Sequence, residues 1–130
     1  MAYEISNYTL KITLVAGADL SAAQYKFVKI SAGQAVVCSA ATDVPIGVLQ
    51  NSPASGSEAS ILVAGGTKIV SSANIAAGAL IGTNNAGKAD AKVAGTDTTE
   101  YVAGQVILGA GADGEYLTAV INCANLNRAA

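Results

Sequence analysis

Asp43-Val44-Pro45-Ile46-Gly47-Val48-Leu49-Gln50-Asn51 is the one stretch of this 130-residue chain in which a turn, a rigid entry and a buried strand are specified together. Pro45 fixes its own φ, removes a backbone donor and pushes Val44 into extended geometry, so the chain reaches Ile46 already straight. The run Ile46 to Leu49 then reads as a core strand that begins at or near Pro45. Gly47 inside it marks either a bulge or a place where another backbone comes too close for a side chain.

Working outward, the same logic yields short strands and soft turns. Tyr8 to Val15 alternates, with Leu10, Ile12 and Leu14 on one face and Thr9, Lys11 and Thr13 on the other. Tyr25 to Ile30 and Ala35 to Ser39 flank the turn Ser31-Ala32-Gly33-Gln34 and read as a hairpin, while Asp19 to Ala23 has room for one helical turn. Ala59 to Ala64 and Thr67 to Ser71 flank Gly65-Gly66, which reads as a second, tight hairpin. Ala79 to Thr83, the marginal Lys88 to Val93, Tyr101 to Leu108 and Tyr116 to Asn122 complete the set. About ten short strands joined by frequent turns predict an all-β fold, a compact sandwich or small barrel. Residues 1–7 read as an extended N-terminal arm, 8–123 as a single β domain and 124–130 as a polar C-terminal tail.

Composition narrows the class. The chain is 52% hydrophobic yet has one Phe, five Tyr and no Trp, so its core must be built from Val, Ile, Leu and Ala. Such a core buries little area per residue, and self-association would add to it. With 7 Lys and Arg against 9 Asp and Glu and no basic cluster, nothing is available to neutralise nucleic-acid phosphates. The longest uncharged stretch, Ile69 to Gly87, contains Ser71, Ser72, Asn74, Thr83, Asn84 and Asn85, which is too polar for a bilayer core. The first residues lack a basic start and an apolar core, so no signal peptide is expected. Neither nucleic acid nor membrane is an expected partner.

Chemistry finds little purchase. There is no His, the commonest general base and metal ligand, and Cys38 and Cys123 are far apart in sequence. The two cysteines read as buried free thiols in a reducing compartment, with a single disulfide as the alternative. Gly109-Ala110-Gly111-Ala112-Asp113-Gly114 fits G-x-G-x-x-G formally, but a strand-like segment follows where a dinucleotide site needs a helix, so it reads as a hairpin loop. Asp97 and Glu100 have capping-box spacing, against which Val102, Gly104, Val106 and Ile107 argue for strand. Asp90, Asp97, Glu100, Asp113 and Glu115 lie in or beside loops, where solvated charge is the ordinary state. The chain is expected to be no enzyme and to carry no metal or cofactor.

The order of Asp43-Val44-Pro45-Ile46-Gly47-Val48-Leu49, Ala64-Gly65-Gly66, Ala73-Asn74-Ile75-Ala76-Ala77-Gly78 and Asp113-Gly114-Glu115-Tyr116-Leu117-Thr118-Ala119-Val120 resembles the small head decoration proteins of tailed bacteriophages, of the capsid-cement type. The likeness runs from about Val36 to Ile121. It implies a β-rich domain, commonly a homotrimer, that is assembled in the host cytoplasm and sits on the outer surface of the virion capsid. There it would bind the major capsid protein and reinforce the shell, with no catalytic residues to carry over. In the arm, Tyr3 and Ile5 share a face if the chain is extended, so Tyr3, Glu4, Ile5, Ser6 and Asn7 are the candidate capsid contacts, adding a strand to a shell subunit. An arm that simply frays is the alternative. A second functional reading is a phage fibre or host-surface adhesion module gripping a polysaccharide through residues such as Tyr101 and Tyr116.

Overall fold

The computed structural model describes residues 9–130. The candidate contacts Tyr3, Glu4, Ile5, Ser6 and Asn7 therefore lie outside the described residues. Eleven strands carry the rest: β1 (Leu10–Val15), β2 (Phe27–Ser31), β3 (Gln34–Val37), β4 (Gly47–Leu49), β5 (Glu58–Val70), β6 (Leu80–Thr83), β7 (Ala89–Ala91), β8 (Tyr101–Val102), β9 (Gly104–Leu108), β10 (Tyr116–Asn122) and β11 (Asn127–Arg128). Among the described residues there is no helix, and the fold is all-β as expected. Nine strands form one curled sheet in the order β3-β2-β4-β5-β10-β9-β6-β7, with β1 also on β5, while β8 and β11 make a separate pair.

The organising element is β5. Its first half carries β1, from Leu10 opposite Ala64 to Val15 opposite Glu58, and pairs Val48 and Leu49 of β4 with Leu62 and Ile61. Its second half pairs with β10, from Asn122 opposite Ala64 to Tyr116 opposite Val70. The expected hairpin at Gly65-Gly66 is thus not formed: residues 59–64 and 67–70 belong to one strand of 13 residues. That strand turns a corner. Gln50 donates its backbone N–H to Ser60 O at 2.8 Å and its side-chain Nε2 to Thr67 Oγ1 at 3.0 Å. In a straight strand Ser60 and Thr67 would stand about 23 Å apart, beyond the reach of one side chain. Gly65 has φ 134°, a backbone region that essentially only glycine occupies, and it supplies the bend.

The β2–β3 hairpin forms where the residues suggest. Ala32 (φ 51°) and Gly33 (φ 76°) give the β2–β3 hairpin two central residues at positive φ, the primed turn whose twist matches the strands. Pro45 precedes the strand by two residues, so β4 is shorter than the segment expected over residues 45–51. Gly47 is there because of close approach, not a bulge: an added Cβ would run into the Leu62 carbonyl oxygen and come within 2.6 Å of Ile61 Cγ2. Asp19 to Ala23 forms a turn closed by Ala23 N–H on Leu20 O at 3.0 Å and not a helical segment. The strand read over Tyr101 to Leu108 breaks at Ala103 into β8 and β9, which join different sheets. Asn127–Arg128, read as part of a tail, pair with Val102 and Tyr101.

The interior is aliphatic. Leu62, Ile69, Ile81, Leu117 and Ile121 are buried in one cluster with Phe27, the one fully buried aromatic side chain among the described residues. Leu20, Leu49 and Ile61 are buried in a second cluster with Val28. Along β1 the expected faces hold, but Ile12 and Leu14 are only half-buried and Leu10 is exposed, because β1 has a partner on β5 alone.

Candidate interaction surface

Apolar side chains that the core does not use mark where a protein meets something else, and on this fold most of them, Leu10, Val15 and Val93 apart, collect on two surfaces. The larger is the outward face of β6, β9 and β10. Strand alternation sends Leu117, Ala119 and Ile121 inward and leaves Tyr116, Thr118 and Val120 outward. Cross-strand pairing sets Val120 opposite Gln105 and Gln105 opposite Leu80, so these three form a row across the sheet. On its far side Val120 pairs with Gly66, beside which an added Cβ would meet nothing within 4 Å. A bulge then breaks the alternation of β9: Thr118 faces Leu108 while Ala119 faces Val106, leaving Ile107 extra. Ile107 and Leu108 are consequently both exposed, Leu108 at 65%. A shallow groove of about 320 Å³ runs beside the row, lined by Leu80, Val102, Gln105, Val120, Asn125 and Asn127 among others. No ionisable residue lines it.

The second surface is smaller and has charge at its edge. Ile30 and Val44 are exposed beside Pro45 and Ile46, around a hollow of about 270 Å³ whose floor includes Cys123. Next to them in the chain, Lys29 Nζ and Asp43 Oδ2 form an ion pair at 2.8 Å. Burial acts to raise the Asp43 carboxyl, but hydrogen bonds from Lys29 and from the Ser39 and Ala40 amides outweigh it and hold the group below the usual carboxylate range.

Of the groups that sequence reasoning tested for chemistry, Cys123 borders the second hollow and shares a core cluster with Cys38. Cys38 and Cys123 are buried free thiols, and burial foremost raises each to about 12. Thiols held protonated in this way are poor nucleophiles and poor metal ligands. Among the described residues no group of three or more His, Cys, Asp or Glu could hold a metal ion. The Gly109 to Gly114 segment is the loop of the β9–β10 hairpin, with Glu115 accepting the Gly111 N–H at 2.9 Å. Asp97 caps no helix; its carboxylate accepts the Val93 N–H at 2.7 Å.

Asp90 and Glu100 are a correction to the solvated-charge reading. Both bind Lys92, whose side chain is fully buried: Nζ lies 2.6 Å from Glu100 Oε1, 3.1 Å from Asp90 Oδ2 and 2.9 Å from Thr83 O. This triad ties β7 to the approach of β8 and is satisfied internally, which makes it a structural clamp. Of the two tyrosines weighed as sugar platforms, Tyr101 is half-buried with Arg128 over its ring at 5.6 Å. Tyr116 is exposed, and its ring meets that of Tyr25 edge to face at 5.7 Å between centroids. Tyr25 was missed as anything but a strand residue. It sits at φ 64° before β2, pinned by its N–H on Leu49 O and by Val70 N–H on its own carbonyl, with Lys68 Nζ 5.7 Å from its ring centroid.

With the corner strand and its flanking sheets described, the fold can be set beside solved structures. It has a counterpart in a phage. The chain is similar in fold to the N base of head fiber gp8.5 in bacteriophage phi29, with a TM-score of 0.65 over 89% of this chain and 96% of that one at 16% sequence identity. The phi29 fiber base thus shares the architecture almost end to end, at low sequence identity. No protein-family model and no curated protein matches the chain.

Proposed function

We propose that this chain is a structural protein of a bacteriophage head: a decoration protein that binds the outside of the capsid through the major capsid protein, stabilises the shell, and does so as a homotrimer without catalysing a reaction. The observation that carries the reading is the similarity of the fold to 96% of a phage head-fiber base. Two features of the molecule agree with it. The titratable groups with unusual surroundings are engaged inside the protein, as in the Lys92 clamp. The exposed apolar surface is of the kind a permanent neighbour covers. The test is direct mixing. Shells of the encoding phage prepared without this protein should take it up to a fixed stoichiometry and resist heat or chelator at higher stress once loaded; shells that leave it in solution at every concentration sink the reading.

A second reading, the base of a fibre or a host-surface adhesion module, is favoured by one observation: the phi29 counterpart is itself part of a head fiber. Here the exposed Tyr116 beside Tyr25 would be the aromatic platform for a polysaccharide. Retention of the protein on host cells or their surface glycan, lost in Tyr116→Ala, separates this reading from cement.

A further inference from the structure

We propose that Tyr25, Tyr116 and Lys68 form a binding site for an acidic sugar, with a pyranose ring laid against the tyrosines and its carboxylate held by the lysine. The inference rests on the fibre or adhesion reading above and names the class of sugar that reading requires.

The site begins at a strained residue. Tyr25 has φ 64°, a left-handed backbone that glycine adopts freely and a bulky side chain adopts only at a cost in free energy. Two hydrogen bonds hold it there, from its N–H to Leu49 O at 2.7 Å and from Val70 N–H to its own carbonyl at 2.9 Å. A glycine would make the same backbone bonds without strain, so what tyrosine adds at this position is its ring. The interior does not call for that ring: neither tyrosine belongs to the two core clusters or to the side chains packed against them. Backbone strain of this kind collects where a side chain has to be presented to a ligand.

Two further groups stand around the ring. Tyr116, 57% exposed, meets it edge to face, with centroids 5.7 Å apart and planes at 89°. The two rings form a right-angled corner in which each fixes the orientation of the other. Lys68 Nζ lies 5.7 Å from the Tyr25 centroid. Register explains the grouping. Tyr116 stands opposite Val70 and Thr118 opposite Lys68, which puts Lys68 diagonal to Tyr116 on the outer face of β5 and β10. Beyond Lys68 on that face comes Gly66, where an added Cβ would meet nothing within 4 Å, so the surface stays open past the lysine.

The charge decides the class of ligand. Lys29, Lys88 and Lys92 are each paired with a carboxylate, whereas Lys68 forms no ion pair among the described residues. Glu115, next to Tyr116 in the chain, is already bound to the Gly111 N–H at 2.9 Å. The C–H face of a pyranose carries partial positive charge and stacks on the electron-rich face of a tyrosine. A carboxylate on the same ring then has the Lys68 ammonium as its partner, and Thr118 opposite offers a hydroxyl to the sugar's own hydroxyls. A neutral sugar would use the rings alone and a free carboxylate the lysine alone; an acidic sugar uses both.

The experiment is calorimetric titration of the full chain with trimers of galacturonate, mannuronate and guluronate, each against its carboxyl-reduced neutral counterpart, at low and at high salt. Wild type should bind at least one acidic trimer about two- to fivefold more tightly than its neutral counterpart, the margin of a single exposed ion pair. That margin should vanish in Lys68→Gln and at high salt, while Tyr116→Ala should lose both members of the pair. Both side chains are exposed, and an unchanged far-ultraviolet circular dichroism spectrum establishes that the variants fold. Equal binding of acidic and neutral trimers by wild type, or a margin that survives in Lys68→Gln, overturns the acidic-sugar inference and leaves the aromatic platform standing. Wild type that is retained on host cells through Tyr116 yet binds no trimer also overturns the inference and not the reading beneath it. Wild type that binds neither host cells nor any trimer defeats both.

Discussion

Gly47 shows how one missing side chain sets the distance between two strands. The Leu62 carbonyl occupies the position a Cβ would need, so Gly47→Val must push β4 away from β5 or distort its own backbone. Overpacking of this kind costs on the order of 1–3 kcal/mol, and a melting temperature that does not move would remove Gly47 from the β4–β5 contact. The two thiols make a second residue-level statement, about pH. Burial lifts Cys38 and Cys123 from 9.0 to about 12, so the folded chain keeps both protons over a range in which the unfolded chain has lost them. Their contribution to stability is therefore complete below pH 9.0 and declines as pH rises from there towards about 12. Denaturant titrations should show the midpoint falling across that window and restored by Cys38→Ser with Cys123→Ala only in its slope, not in its absolute value. A thiol reagent at neutral pH should label neither residue until the chain is unfolded.

At the scale of elements the corner in β5 is the point of strain. Gly65→Ala puts a side chain where φ is 134° and Thr9 Cγ2 is 3.1 Å away, and should lower stability by about 1–3 kcal/mol. Gly66→Ala enters open space in an extended backbone and should be neutral or stabilise by about 0.5–1 kcal/mol. Equal effects at the two positions would mean the bend is not where the strand turns. This pair also shows what the sequence could and could not reveal. Pro45 acts on its own chain neighbours, so the rigid entry into the strand was legible in nine residues, whereas Gly47 left bulge and close approach open until β5 placed Leu62 against it. Gly65-Gly66 reads the same locally whether it closes a hairpin or bends a strand; the choice is made by Leu10–Val15 and Tyr116–Asn122, far away in the chain, which claim the two halves of β5. The exposed face was hidden for a related reason. Ile107 and Leu108 look like core until the register with Thr118 shows the bulge. Likewise Lys92 in Ala89-Asp90-Ala91-Lys92 carries no mark of burial until β8 brings Glu100 over it.

For the whole molecule, the shared strand has a consequence in time. β1, β4 and β10 are the partners of one continuous strand, and β10 leaves the ribosome only after residue 122, more than fifty residues behind the end of β5. Until then the second half of β5 has no ladder to pair with, and a growing chain exposes it as an open template for any other strand. The fold is closed by its penultimate strand, so the nascent protein cannot assemble piece by piece from its N-terminus. Its rate is set by a loop closure between distant segments, which places refolding among the slow, non-local β proteins at milliseconds to seconds. A chain that stops before Tyr116 lacks the strand that completes the sheet, and its fate is aggregation in place of a smaller stable domain.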